Sequence, residues 1–149
     1  MVNVIVTAVG GETSKSGAER FEKDVLVHKP DILLIDYGLN DRGIGLENAE
    51  TAWSSMIEKA LAQNIKVILL TPNADQRSDL EKPKDPLNRQ AKQIRSLAAK
   101  FNVALLDSLA EFKAYVNHGG KLEDLMSQRN HPNRKGHDLV AAAMKWFLP

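Results

Sequence analysis

The chain has 149 residues, with 20 Lys and Arg against 19 Asp and Glu, a formal net charge of +1 and no cysteine. That length suits one domain over residues 1–149, able to bury about two thirds of its unfolded surface. Near-neutral charge without a basic cluster excludes nucleic acid as a partner, and the missing cysteines exclude disulfides and thiolate metal sites. No long apolar run or signal-like start is visible, so no membrane partner is expected and the chain as given reads as cytoplasmic.

In chain order, Val2 to Val9 is a β-branched run that breaks at Gly10-Gly11, which predicts a strand emptying into a loop. Thr13, Ser14 or Ser16 then caps a helix from about Gly17 to His28, with Phe21, Val25 and Leu26 inward. Pro30 separates that helix from the run Ile32 to Ile35, which predicts a parallel strand covered on both faces, and Gly38 frees the backbone beyond it. In an open α/β sheet, Asn40 and Asp41 would project over a crevice at that strand's carboxyl end, or else form a turn or cap a helix. A helix from about Glu47 to Gln63 carries Ala49, Trp53, Met56, Ile57 and Ala60 on one stripe, and Lys66 to Thr71 is the next buried strand.

The highly charged stretch Pro72 to Pro86 reads as a lid, a binding loop or plain solvated chain. A helix from Leu87 to Lys100, a strand from Val103 to Leu106 and a helix from Leu109 to Asn117 follow, ended by Gly119-Gly120. Lys121 to Asn133 is mostly polar loop with one helical turn near Leu122 to Met126, and Arg134 to Phe147 is a final helix. Strands alternating with helices predict a three-layer α/β/α sandwich around a parallel sheet.

Three loops carry complementary chemistry. The backbone N–H of Gly11 can approach a ligand closely, and the Asn40 amide is a second neutral donor. Two such donors suit the oxyanion that forms when a carbonyl becomes tetrahedral. His131, held by Pro132 ahead of a helix, is the candidate general base. His28, His118 and His137 have ordinary helix-end or helical settings, and His131 with His137 lacks a common metal-ligand spacing.

In order, VGGETS, GLND and HPNRKGH resemble three sequence blocks of the SGNH hydrolases, the GDSL-type esterases and lipases; KPDILLIDYG and VILLTP are similar to the family as well. The resemblance implies a flavodoxin-like fold, serine acyl transfer on short acyl esters such as acetylated sugars or lipid-like esters, and no cofactor or metal. It also implies oxyanion donors at Gly11 and Asn40, with His131 as base. Two departures stand out. The block that carries the nucleophilic serine, a strand ending in Gly-Asp-Ser, has no counterpart before VGGETS, which points to a shortened hydrolase missing its first strand. The aspartate expected three residues before the histidine is Gln128, which can accept a hydrogen bond but cannot stabilise an imidazolium as a carboxylate does. Asp107 is a conceivable stand-in, though a helix cap explains it better; Ser14, Ser16 and Ser127 are poor substitutes for the nucleophile.

In the family's sheet the absent strand lies between the strands ending at Gly10 and Gly38. The gap would be closed by the neighbours, by a rearranged amino terminus, or by a homodimer that completes the sheet. Two other readings are a catalytically inactive binding or interaction module, and a flavodoxin-like domain holding a phosphate at Gly10-Gly11 ahead of the first helix.

Overall fold

The computed structural model describes residues 2–147. A three-stranded parallel sheet in the order β1-β2-β3 forms its centre, from Ile32–Ile35, Lys66–Leu70 and Ala104–Leu106. The register sets Leu33 beside Val67 and Leu69 beside Leu105. The crossovers are α2 (Leu46–Leu61) between β1 and β2, and α3 (Pro86–Phe101) between β2 and β3. Preceding β1 is α1 (Ser14–Asp24); α4 (Ser108–Asn117) and α5 (Arg134–Met144) follow the sheet. Between those last two helices lies a small antiparallel pair, β4 (Met126–Gln128) and β5 (His131–Pro132).

The continuous apolar run of β2 is explained by cover on both sides, because successive side chains of a strand point to opposite faces. Val67 and Leu69 enter one core with Phe21, Trp53, Met56, Ile57, Ile94 and Leu97 from α1, α2 and α3. Ile68 and Leu70 enter another with Leu106, against Val140, Ala143, Met144 and Phe147. A third cluster of Ala74, Leu87, Leu109, Phe112, Leu125 and Met126 supports the loops beyond the sheet's carboxyl end.

Two expectations about the first part of the chain require correction. Residues Val2 to Val9 run without strand pairing, and Val4 and Val6 are 81% and 79% exposed. β-branched residues favour a pleated surface only where a neighbour supplies the ladder and the packing, and this segment has neither. Likewise β1 is not covered on both faces: Leu34 is 40% exposed and the strand's outer edge has no partner among the described residues.

Gly38 serves packing rather than conformational freedom. A Cβ there would meet Ile94 Cδ1 at 2.8 Å and Pro72 Cδ at 2.9 Å, so the close approach of β1's end to the loop after β2 requires glycine. The segment from Lys121 to Asn133, predicted as loop with one helical turn, has that turn at Leu122–Leu125 and the β4–β5 hairpin beyond it.

Candidate active site

The three loops singled out in the sequence all lie beyond the sheet's carboxyl end or next to it. At Gly10-Gly11 the chain turns, closed by the Glu12 N–H donating to the Val9 carbonyl at 3.2 Å. Gly11 takes φ +76°, a left-handed conformation that favours glycine, and nothing stands within 4 Å of where its Cβ would be. The residue is exposed, and its N–H has no backbone acceptor among the described residues.

Asn40 opens a turn of 3-10 helix at Asn40–Gly43, immediately after β1. Its side-chain Nδ2 donates to the Glu12 carbonyl at 2.9 Å, which joins the two donor loops directly. A primary amide has two N–H donors, so one remains for a ligand. Glu12 is fixed in turn by Arg20 of α1, whose Nε and Nη2 reach its two carboxylate oxygens at 2.7 and 2.6 Å. The same guanidinium donates to the Thr7 carbonyl at 2.8 Å. Hydrogen bonding to Arg20 is the main reason that the Glu12 carboxyl is held below its ordinary range, with burial opposing it. The sequence offered no specific signal for the Glu12–Arg20 pair, because Glu12 stands in the turn before α1 and Arg20 within the helix.

Asp41 does not project over the crevice. It is fully buried, and its Oδ1 accepts the Ser14 N–H at 2.8 Å while Oδ2 accepts Trp53 Nε1 at 2.7 Å. The cap of α1 is therefore a carboxylate from the next loop; Thr13 occupies the N-cap position without a side-chain bond. That carboxylate already accepts the Ser14 N–H at the α1 N-terminus, a donor that a bound phosphate would otherwise use.

Asp36, between β1 and Gly38, has a solvent-exposed side chain beside a dense protein surround. Loss of hydration pushes its carboxyl up to about 7, opposed by the Gly38 N–H and reinforced by the negative Asp41. The solvent that still reaches it favours a smaller rise than the surround alone would give.

His131 is exposed on β5, with Gln128 of β4 directly opposite. Its imidazole has no hydrogen-bond partner among the described residues, Gln128 included, and no hydrogen bond joins it to Gly11 or Asn40. Loop and helix are tied locally: the Asn133 side chain caps α5 through the Gly136 N–H at 3.1 Å, and its Nδ2 donates to the Asp124 carbonyl at 3.0 Å. Asp107 is no stand-in for the missing acid, because it accepts from Thr71 Oγ1 at 2.9 Å and Arg95 Nε at 2.6 Å and caps α4 through the Ala110 N–H. Ser14 is buried, and Ser127 Oγ donates to the His131 carbonyl at 3.0 Å, so neither hydroxyl faces the imidazole as a nucleophile would. Among the described residues no three metal-ligating side chains gather around a common point.

The profile of the GDSL-like lipase/acylhydrolase family matches residues 1–139. The chain belongs to this family. An acetylxylan esterase from Geobacillus stearothermophilus is 22% identical over 154 residues, covering 95% of this chain and 70% of that protein. A crystal structure of an acetylxylan esterase from the same organism superposes with a TM-score of 0.79 at 24% identity, over 90% of this chain. The GDSL-like chain spans 66% of that structure's length. A second acetyl xylan esterase structure gives a TM-score of 0.75 at 27% identity, covering 93% of this chain and 76% of that one. A GDSL-like lipase fold from Parabacteroides merdae gives 0.78 at 21% identity, over 91% and 68% of the two chains. These likenesses agree with the α/β architecture, the parallel sheet and the SGNH hydrolase fold predicted from sequence.

Proposed function

We propose that this chain supplies the oxyanion donors and the general base of an ester hydrolase acting on short acyl esters, with acetylated xylo-oligosaccharides as the leading substrate class. The observation that carries the reading is the 2.9 Å bond from Asn40 Nδ2 to the Glu12 carbonyl, which ties the Asn40 loop to the Gly11 turn and leaves Asn40 a second amide N–H. Neutral donors fixed in advance stabilise the charge that develops on a carbonyl oxygen without reorganising during the reaction. The acetylxylan esterases among the relatives support the acetyl-sugar preference.

In this mechanism a serine hydroxyl attacks the acyl carbon and His131 takes its proton. The carbonyl oxygen gains negative charge and accepts from Gly11 N–H and Asn40 Nδ2. Collapse of the tetrahedral species expels the alcohol, which receives the proton from His131, and water repeats the sequence on the acyl-enzyme. Ser14 is buried and Ser127 Oγ is hydrogen-bonded to the His131 carbonyl, so neither suits the first role. A strand seated on the free edge of β1 would bring a hydroxyl to the same carboxyl-end crevice, and we assign the nucleophile to such a strand.

The second reading is a module without hydrolytic activity. It is favoured by the exposed Val2 to Val9 run, which in a homodimer would lie along the partner's free β1 edge and fill the position that a nucleophile-bearing strand needs. Hydrolysis of an acetylated xylo-oligosaccharide by the protein and by His131→Ala separates the two. Turnover lost in the variant supports the esterase; turnover that persists unchanged rejects His131 as the base.

A further inference from the structure

One buried carboxylate stands where the candidate site's loops meet. Asp75, 2% exposed, lies in the charged segment after β2. Its Oδ2 accepts Arg42 Nη2 at 2.8 Å, its Oδ1 accepts the Arg77 N–H at 2.9 Å, and Arg129 Nε is 3.8 Å from Oδ1. Arg42 lies two residues after Asn40 and also donates its Nε to the Leu39 carbonyl at 3.0 Å. Arg129 lies two residues before His131. The backbone follows the same course, because the Gln76 N–H donates to the Arg129 carbonyl at 2.9 Å and Asn73 Nδ2 donates to the Asn130 carbonyl at 3.2 Å.

The charge is maintained. Burial alone would raise the Asp75 carboxyl, but the Arg77 N–H and the Arg42 and Arg129 guanidinium groups outweigh it and hold the group below the usual carboxylate range. Partnered in this way, a buried carboxylate is costly to unpair and so fixes the parts it joins. The hairpin carrying His131 is held within its own segment by Ser127 Oγ on the His131 carbonyl and by the Asn133 N–H on the Leu125 carbonyl. Its hydrogen bonds to the segment after β2 are those from Gln76 and Asn73, beside the Asp75 carboxylate. The charged segment has its first part buried at Pro72, Ala74 and Asp75, while Asn88 Nδ2 holds the carbonyls of Asp79, Leu80 and Lys82 farther along.

We infer that Asp75 is a positioning residue that holds the His131 hairpin at a set distance from Asn40, linking the general base to the oxyanion donor through Arg42, Gln76 and Arg129. The functional consequence rests on the ester-hydrolase reading; the mechanical link does not. Because effectiveness in acyl transfer depends on geometry at the scale of about 1 Å, a loosened hairpin lowers turnover more than substrate binding.

The test compares amide hydrogen exchange and amide chemical shifts in the whole protein, unaltered and as Asp75→Asn. The link predicts that the Gln76 amide exchanges about tenfold faster or more in the variant. Signals from residues 128–131 shift with it, while amides of β2 keep their rates. Arg129→Ala, at an exposed position, gives the same local pattern at smaller amplitude and carries the test should Asp75→Asn not fold. In a hydrolysis assay Asp75→Asn lowers kcat by about 10- to 100-fold with little change in KM. Unchanged hairpin signals in both variants, or β2 amides accelerated by the same factor as Gln76, overturn the inference. Absence of hydrolysis by the unaltered protein counts against the esterase reading alone and leaves the exchange comparison intact.

Discussion

Asn40 Nδ2 and the Glu12 carbonyl lie 2.9 Å apart, and this bond joins the two loops that carry the proposed oxyanion donors. On the proposed esterase reading the same side chain has a structural and a chemical task. Asn40→Ala removes both, and kcat for acetyl ester hydrolysis should fall by about 100- to 1000-fold, the effect of losing one oxyanion donor. Steady-state kinetics with an aryl acetate check this; a fall confined to KM would place Asn40 in binding alone.

Asp41 is the buried counterpart. Its replacement by Ala leaves the Ser14 N–H and Trp53 Nε1 without acceptors and uncaps α1. The expected loss is about 3 kcal/mol, from hydrogen bonds to a charged acceptor. For a chain of this size that is a Tm lower by about 6 to 12 °C, measurable by calorimetry.

Asp36 gives stability a pH signature. With its folded pKa raised above the ordinary carboxylate value, it binds a proton in the folded state more readily than in the unfolded chain. Its contribution therefore favours folding at low pH, is fully present below about 4, and is lost as pH rises through the raised folded value. Asp36→Asn should raise the Tm relative to the unaltered protein at pH 8 and change it little at pH 4.5. Glu12, Asp75 and Asp107 have lowered values and act in the opposite sense, their stabilisation present above the ordinary carboxylate range and lost as pH falls through and below it.

Gly136 in the first turn of α5 packs directly on the Leu125 carbonyl, with Pro132 Cβ 2.9 Å from where its own Cβ would stand. Gly136→Ala should push α5 away from the His131 hairpin and cost about 1 to 3 kcal/mol by overpacking. Equilibrium urea unfolding measures the loss, and chemical shifts at residues 131–133 report the displacement.

Much of this was legible in the chain. The apolar stripe of α2 and the Val67 to Leu70 run encode their elements locally, through a helical period and through burial on both faces. Gly11, Asn40 and His131 stood out in the sequence because each is a residue type suited to one chemical role, and the fold sets their loops at or next to the sheet's carboxyl end. The first segment was misread because strand character depends on a neighbour, and local β-branched content does not reveal whether one exists. Of the two readings open for Asp41, the helix cap holds and the crevice does not, because α2 turns the Trp53 indole toward its carboxylate. Asp75 was hidden in a run of charges, where only the fold distinguishes a buried carboxylate from solvated ones.

The most direct test of the central claim is fluorophosphonate labelling of the protein purified from its native host, with the intact mass of the labelled species read from the same sample. The esterase account predicts a covalent adduct on a serine, formed at a rate that falls by about 10,000-fold or more in His131→Ala. A protein that takes no label while correctly folded would contradict it and favour the interaction-module reading.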